Sequence, residues 1–353
     1  MNFTFTEEQA MIADTAGTFF AEHASSSRTR KAMESDGIDK ALWQSYCQDL
    51  GFGGIALPES AGGAGLGVVE LAILAEAAGA RVAALPMLGS LAMAAQAIAA
   101  GGGDSQKAKW LPLLISGEKI AAYGENADLV VEGNHLTGQF DFVAHGGCAD
   151  IFVLAGKGGA WIIDAAAAGV SVRSCTTMDQ TRPFAQVTLD KTLGDPLAKA
   201  EAGIQAARKA AWICVAAEAL GGAQATLDQT VAYSLDRVQF GRPIGSFQAY
   251  KHRLADMMVE IEQARSAVYW AACAVDEAAD DAALALHCAK SFAADTYMMC
   301  AANMIQLHGG IGITWEHDCH LYFKRARAIQ SMLGTSNWHR EKVAELMGLG
   351  AVA

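Results

Sequence analysis

A chain of 353 residues, 52% apolar and 18% charged, is long enough for two or three folding units with sizeable cores and too hydrophobic to be disordered. Its 26 Lys and Arg stand against 38 Asp and Glu, and a net charge of -12 repels a phosphate backbone, which excludes nucleic acid as an expected partner. The eight cysteines, at 47, 148, 175, 214, 273, 288, 300 and 319, form no CxxC pair or compact framework and read as reduced, mostly buried thiols.

The first residues, Met1-Asn-Phe-Thr-Phe-Thr-Glu-Glu8, lack the basic region and apolar core of a signal peptide, so a cytoplasmic location is expected. From Thr6 to Gly117 the pattern is helical, and Thr6-Glu-Glu-Gln9 has the form of a capping box. Val82–Gly103 is uncharged and long enough to prompt a search for a membrane helix. It contains Pro86, Ser90 and Gln96 and is rich in alanine, which adds little apolar area; it reads as tightly packed soluble helices, with no membrane partner. Between helices lies Leu57-Pro-Glu-Ser-Ala-Gly-Gly-Ala-Gly-Leu66, where glycines allow positive φ and close backbone approach.

Around Glu118 the texture changes to short β-rich runs at 129–131, 150–154, 161–163 and 184–189, separated by turn residues. After Pro196 helical periodicity returns, with segments near 198–236, 246–278, 281–308 and 318–330 that suit a bundle also used for self-association. The reading is α+β in three parts: a helical domain over 1–117, a small β-domain over 118–195 and a helical bundle over 196–353. The acidic run Asp276–Asp281 reads as a solvated connection between helices. His317, Asp318 and His320 are clustered, but neighbouring helix positions point apart, so capping and packing are expected there and no metal.

Two motifs could carry chemistry. In Tyr233-Ser-Leu-Asp-Arg-Val-Gln-Phe-Gly-Arg-Pro, Arg237 offers a planar cation, Gln239 an amide and Phe240 an aromatic face, a set that suits a dinucleotide tail and equally a surface helix end. In Gln306-Leu-His-Gly-Gly-Ile-Gly312, glycines could bring backbone amides to an anion or simply cap a helix.

The ordered pair, together with the Pro58-Glu-Ser-Ala-Gly-Gly63 loop, resembles the flavin-binding signature of the acyl-CoA dehydrogenase family over nearly the whole chain. The resemblance implies helical N-terminal, β middle and helical C-terminal domains, with FAD at a subunit junction. It places Arg237, Gln239, Phe240, Phe247 and Gln248 near the adenosine diphosphate part of a neighbouring chain's FAD, and Gln306, Leu307, His308, Gly309 and Gly310 in the same site. Thr335, Ser336 and Asn337 correspond to a further stretch near the flavin.

The family's carboxylate base removes an acyl-CoA α-proton while hydride leaves the β-carbon, and it usually precedes a Gly-Thr pair. Here Gly334-Thr335 is preceded by Leu333, and the location used in other branches falls at Ala211 or Trp212. Glu218, seven residues beyond Ala211 and about 10.5 Å along a helix, is the remaining candidate base. The flavin and substrate loop is contracted to Tyr123-Gly-Glu-Asn-Ala-Asp128, and in Phe142-Val-Ala-His145 Ala144 stands where a hydroxyl normally faces flavin N5.

Three functions are compatible with this resemblance. One is a FAD-dependent acyl-CoA dehydrogenase, or a subunit of one, that forms a trans-2-enoyl-CoA and passes electrons to an electron-transfer flavoprotein, as a homo-oligomer or a hetero-oligomer with a paralogous subunit. The second is a non-catalytic subunit completing the FAD site of a glutamate-bearing paralogue. The third is a flavin monooxygenase on the same scaffold.

Overall fold

The computed structural model describes residues 5–349. The N-terminal helices are α1 (Glu7–His23), α2 (Ser26–Met33), α3 (Lys40–Gln44), α4 (Val68–Gly79), α5 (Gln96–Gly101) and α6 (Asp104–Ile115). Helix α1 starts on the expected capping box: Gln9 N–H donates to Thr6 Oγ1 at 3.2 Å, and Thr6 N–H donates to Gln9 Oε1 at 3.0 Å. The uncharged Val82–Gly103 segment forms a π-helical stretch, Leu88–Ala95, that runs into α5. Its polar groups are used internally, Ser90 Oγ accepting from Ala121 N–H at 3.1 Å and Gln96 donating to the Ala56 carbonyl at 2.8 Å.

The β-region carries β1 (Ala121–Asn126), β2 (Val130–Glu132), β3 (His135–Ala144), β4 (Ile151–Gly156), β5 (Gly159–Asp164), β6 (Val170–Cys175), β7 (Phe184–Leu193) and β8 (Asp195–Pro196). They build two four-stranded sheets, ordered β1-β4-β5-β8 and β2-β3-β7-β6, and the β1–β4 pair is parallel. Alternate residues of β7, Ala185, Val187 and Leu189, are buried, as a half-covered strand requires. Val187 and Leu189 join Phe140, Phe152, Leu154, Trp161 and Ile163 in one apolar core. The sequence reading of Tyr123–Asp128 as a contracted loop needs correction: Tyr123–Asn126 is strand, its backbone paired in register with Val153–Gly156.

The C-terminal helices are α7 (Ala200–Asp236), α8 (Gln248–Asp276), α9 (Ala282–His308), α10 (Cys319–Ser331) and α11 (Ser336–Leu346). Between α7 and α8 lies a small hairpin, β9 (Val238–Gln239) with β10 (Arg242–Pro243). Asp276–Asp281 makes the turn between α8 and α9. Helix α7 is long and apolar enough to cross a membrane, but 89% of its most apolar stretch is buried inside the protein. All eight cysteines are thiols outside any disulfide.

By compactness the chain divides into two units, one of residues 1–26, 72–83 and 212–353, the other of 27–71 and 84–211. In the first, glycine lets helices α4 and α7 touch backbone to backbone: a Cβ on Gly221 would lie 1.9 Å from the Glu76 carbonyl oxygen, so any side chain there would force the helices apart. The two motifs and the missing-base position all belong to this unit.

Candidate functional site

Helix α7 ends where the sequence turns into the first motif. Arg237 N–H still bonds the Tyr233 carbonyl at 2.9 Å, and the chain then reverses through β9 and β10 with Gln239 opposite Arg242. The two turn residues, Phe240 and Gly241, have φ of 53° and 76°, the positive pair that a tight hairpin of this twist demands. Glycine takes that conformation freely, whereas a bulky aromatic rarely does. Phe240 nevertheless sits at the tip with 92% of its surface exposed. Behind it the Arg242 guanidinium lies over the Phe247 ring at 4.0 Å, and Phe240 meets Phe247 edge-on at 6.2 Å.

The second motif ends α9. A helix terminus leaves its last carbonyls without helical partners, and here the first motif supplies them. Tyr233 donates to the His308 carbonyl at 3.3 Å and Tyr250 to the Leu307 carbonyl at 3.0 Å. Burial pushes the Tyr250 hydroxyl up to about 12, which keeps it a neutral donor. The two stretches, about seventy residues apart in sequence, are thereby bonded into one surface. Gly309, at φ 66°, turns the chain out of the helix; Gly309 and Gly310 are exposed, with nothing within 4 Å of where a Cβ would stand.

The surface brings together exposed Arg237, Gln239, Phe240, Gln248 and Gln306 with half-buried Phe247 and Leu307. Among the described residues the Arg237 guanidinium has no hydrogen bond or ion pair. His308 differs from its neighbours: its ring is only 4% exposed, stacks on Tyr233 at 4.3 Å and bonds the Met304 carbonyl at 2.7 Å. Only its backbone can face a ligand on this surface. Arg242 of the first motif and Tyr250, in the first turn of α8, brace the site, and sequence reasoning assigned neither a role.

The position before Gly334 is built differently. Leu333 has φ 55° and is held by two donors on its carbonyl, Trp212 Nε1 at 3.0 Å and His339 Nε2 at 3.1 Å. The next carbonyl, of Gly334, accepts from the buried Lys290 ammonium. Because His339 Nε2 donates, its Nδ1 carries the lone pair and accepts from His287 Nδ1 at 2.8 Å. Burial, reinforced by Lys290, pushes the His339 pKa down to about 3, and burial likewise lowers His287. Burial lowers Lys290 to about 8 against the pull of Asp295, so it still donates as an ammonium at neutral pH.

Leu333 and Trp212, which with Ala211 are the positions at which the family resemblance would put a carboxylate, are therefore in contact. Rings fill the space around them: Trp212 lies 4.9 Å from His287, 5.5 Å from His339 and 6.3 Å from Trp338. Glu218 is spent elsewhere, in an ion pair with Arg325 that is almost wholly buried on both sides. Thr335 caps α11 by accepting from Trp338 N–H at 3.2 Å, and Ser336 is buried and bonds Asp295 at 2.8 Å; Asn337 is exposed.

In the other unit, Tyr123 donates to Glu125 at 3.0 Å and Glu125 receives the Arg208 guanidinium in a two-pronged pair, its Nε at 2.9 Å. Ala144 is buried and paired with Phe184 across β3 and β7. Tyr123 and Glu125 are thus satisfied by each other and by Arg208 of α7.

Comparison with known proteins places this geometry. The model of the acyl-CoA dehydrogenase N-terminal domain matches residues 6–118, and that of the acyl-CoA dehydrogenase C-terminal domain matches 203–348. The acyl-CoA dehydrogenase IpdE2 of Mycobacterium tuberculosis is 38% identical over 330 residues, 93% of each chain. Among solved structures, a variant of the Tcur3481-Tcur3483 steroid ACAD superposes with a TM-score of 0.89 at 32% identity, over 98% of this chain and 99% of that one. The ChsE4-ChsE5 complex of Mycobacterium tuberculosis gives 0.90 at 27% identity, over 99% of both. The chain belongs to the acyl-CoA dehydrogenase family, whose cofactor is FAD.

Proposed function

We propose that this chain is the base-lacking subunit of a hetero-oligomeric, cytoplasmic acyl-CoA dehydrogenase, completing a FAD site held chiefly by a glutamate-bearing paralogue. One observation carries the reading: Leu333 stands at one family position for the base and Ala211 and Trp212 at the other, with Trp212 bonded to the Leu333 carbonyl, so neither position offers a carboxylate for α-proton removal. Glu218 is not assigned that role, because its charge is neutralised by Arg325 in a buried pair.

The residues of the other surface fit FAD. The Arg237 fork suits phosphate oxygens, exposed Phe240 suits an aromatic ring, and Gly309 and Gly310 give an anionic group close access to backbone amides. All of them face outward, as groups serving a neighbour's cofactor must. FAD, when bound, accepts the hydride in the α,β-dehydrogenation of an acyl-CoA to a trans-2-enoyl-CoA, and an electron-transfer flavoprotein takes up the electrons. This chain's contribution is to hold and orient the dinucleotide tail; the proton is removed by the partner's glutamate.

Flavin stoichiometry and anaerobic acyl-CoA bleaching, measured on the chain alone and after co-expression with the paralogue, test the proposal. Flavin absent alone and present with turnover in the complex is expected. Full occupancy with substrate-dependent bleaching of the isolated chain would overturn it.

A further inference from the structure

His308 at the end of α9 and His317 and Cys319 around the start of α10 close on one point. His308 Nε2 or Nδ1, a ring nitrogen of His317 and Cys319 Sγ provide three ligand atoms within 4.8 Å of one another. We propose that His308, His317 and Cys319 form a structural zinc site that staples the end of α9 to the start of α10.

The decisive group is His308. Its Nδ1 faces the Met304 carbonyl at 2.7 Å, and a carbonyl only accepts, so Nδ1 carries the proton and Nε2 is a bare lone pair. That Nε2 is fully buried and has no hydrogen-bond partner, although the whole ring is 96% enclosed. A buried acceptor left unmade costs about 1–3 kcal/mol. The same arrangement, one imidazole nitrogen donating to a backbone carbonyl and the other free, is how metal-bound histidines are oriented.

The other two groups face the same space. The His308 and His317 ring centroids are 4.6 Å apart. Cys319 Sγ lies 3.1 Å from His317 Nδ1, which also receives Cys319 N–H at 3.3 Å. Around tetrahedral zinc, nitrogen and sulfur ligands stand about 3.5 Å apart, so side-chain adjustments of about 1 Å assemble the site. Two imidazoles and a thiolate select zinc over calcium or magnesium. Binding replaces the thiol proton, which leaves to solvent, and gives a centre of net charge +1 with one coordination position for water. His317 stands in the turn Gly309–Asp318, between the ligands at the two helix ends, so the ion would tie down the loop that carries Gly309 and Gly310.

The test uses the full-length chain, expressed with zinc, dialysed, and analysed for metal, then exchanged with cobalt(II). One equivalent of zinc per chain is expected, with a sulfur-to-cobalt charge-transfer band and tetrahedral d–d bands. Cys319→Ser should abolish the charge-transfer band, and His308→Gln should weaken zinc binding roughly tenfold or more, whereas Cys175→Ser should change neither. Zinc well below one equivalent, or cobalt binding without a thiolate band in the unaltered chain, would overturn the site without recourse to any variant.

Discussion

The Leu333 position and the Arg237–Phe240 surface lie in the same compact unit and are finished in opposite ways. At Leu333 two successive carbonyls take three donors, the aromatic rings of Trp212, Trp338, His287 and His339 pack together, and Glu218 is neutralised elsewhere by Arg325. On the other surface a guanidinium, a phenyl ring and two glycines are left open to solvent. Evolution of a catalytic centre does the reverse, keeping polar groups available where chemistry occurs. The proposed division, with the chemistry on another chain and the binding on this one, rests on that difference.

The largest effect tests the closed side. Glu218→Ala should cost about 3–5 kcal/mol, because it leaves the Arg325 charge buried without its partner, and urea unfolding of the chain would measure it. Glu218→Gln should leave turnover of the assembled complex unchanged; a complex silenced by that substitution while still folded and flavin-loaded would make Glu218 the base after all. On the open side, Arg237→Ala should weaken FAD retention by the complex about tenfold to a hundredfold, the range for a lost charge-assisted hydrogen bond of about 1.5–3 kcal/mol. Equilibrium dialysis of flavin against the intact assembly reads this directly, and an unchanged affinity would remove Arg237 from the site.

How much of this contrast was legible beforehand follows from its physics. Helices α7 to α10 were bounded to within two residues because long apolar periods leave little else to form, and the open surface was named residue by residue because its motifs are contiguous. Helix α11 was not foreseen, since Ser336–Leu346 is mostly polar and gives no apolar period. Strand β1 lies where the family resemblance implies a contracted loop; its Gly124, Glu125 and Asn126 are poor strand formers, and it is held by pairing with the apolar β4. The absence of a carboxylate could be read directly, but the contact of Trp212 with Leu333 could not. It joins residues 121 positions apart, and the Lys290 and His339 donors that complete it come from two further helices.

That hidden network makes the closed side sensitive to acid. His339, with Lys290 and His287 facing it, titrates near 3 in the folded chain and near its ordinary value when unfolded; His287, flanked also by Lys342 and Glu345, is shifted the same way. As pH falls below about 6.5 the unfolded chain takes up protons that the folded chain refuses. Stability should therefore drop, by at most about 1.4 kcal/mol per pH unit for each histidine. His339→Gln, which can still donate to the Leu333 carbonyl, should flatten the slope of unfolding midpoint against pH between 6.5 and 5. An unchanged slope would place the acid sensitivity elsewhere.

Phe240 sharpens the comparison from the open side. Its ring touches little besides the edge of Phe247, so Phe240→Ala should change the stability of the isolated chain by no more than about 0.5 kcal/mol. A side chain of that size is not held at φ 53° and nearly full exposure by anything the chain itself gains. If its place is against a partner, the same substitution should weaken assembly about tenfold, or about 1.4 kcal/mol, measured by sedimentation of the two-chain complex. Loss of assembly without loss of chain stability is the signature expected of a surface completed by another molecule; equal and small effects on both would make the hairpin tip an ordinary loop.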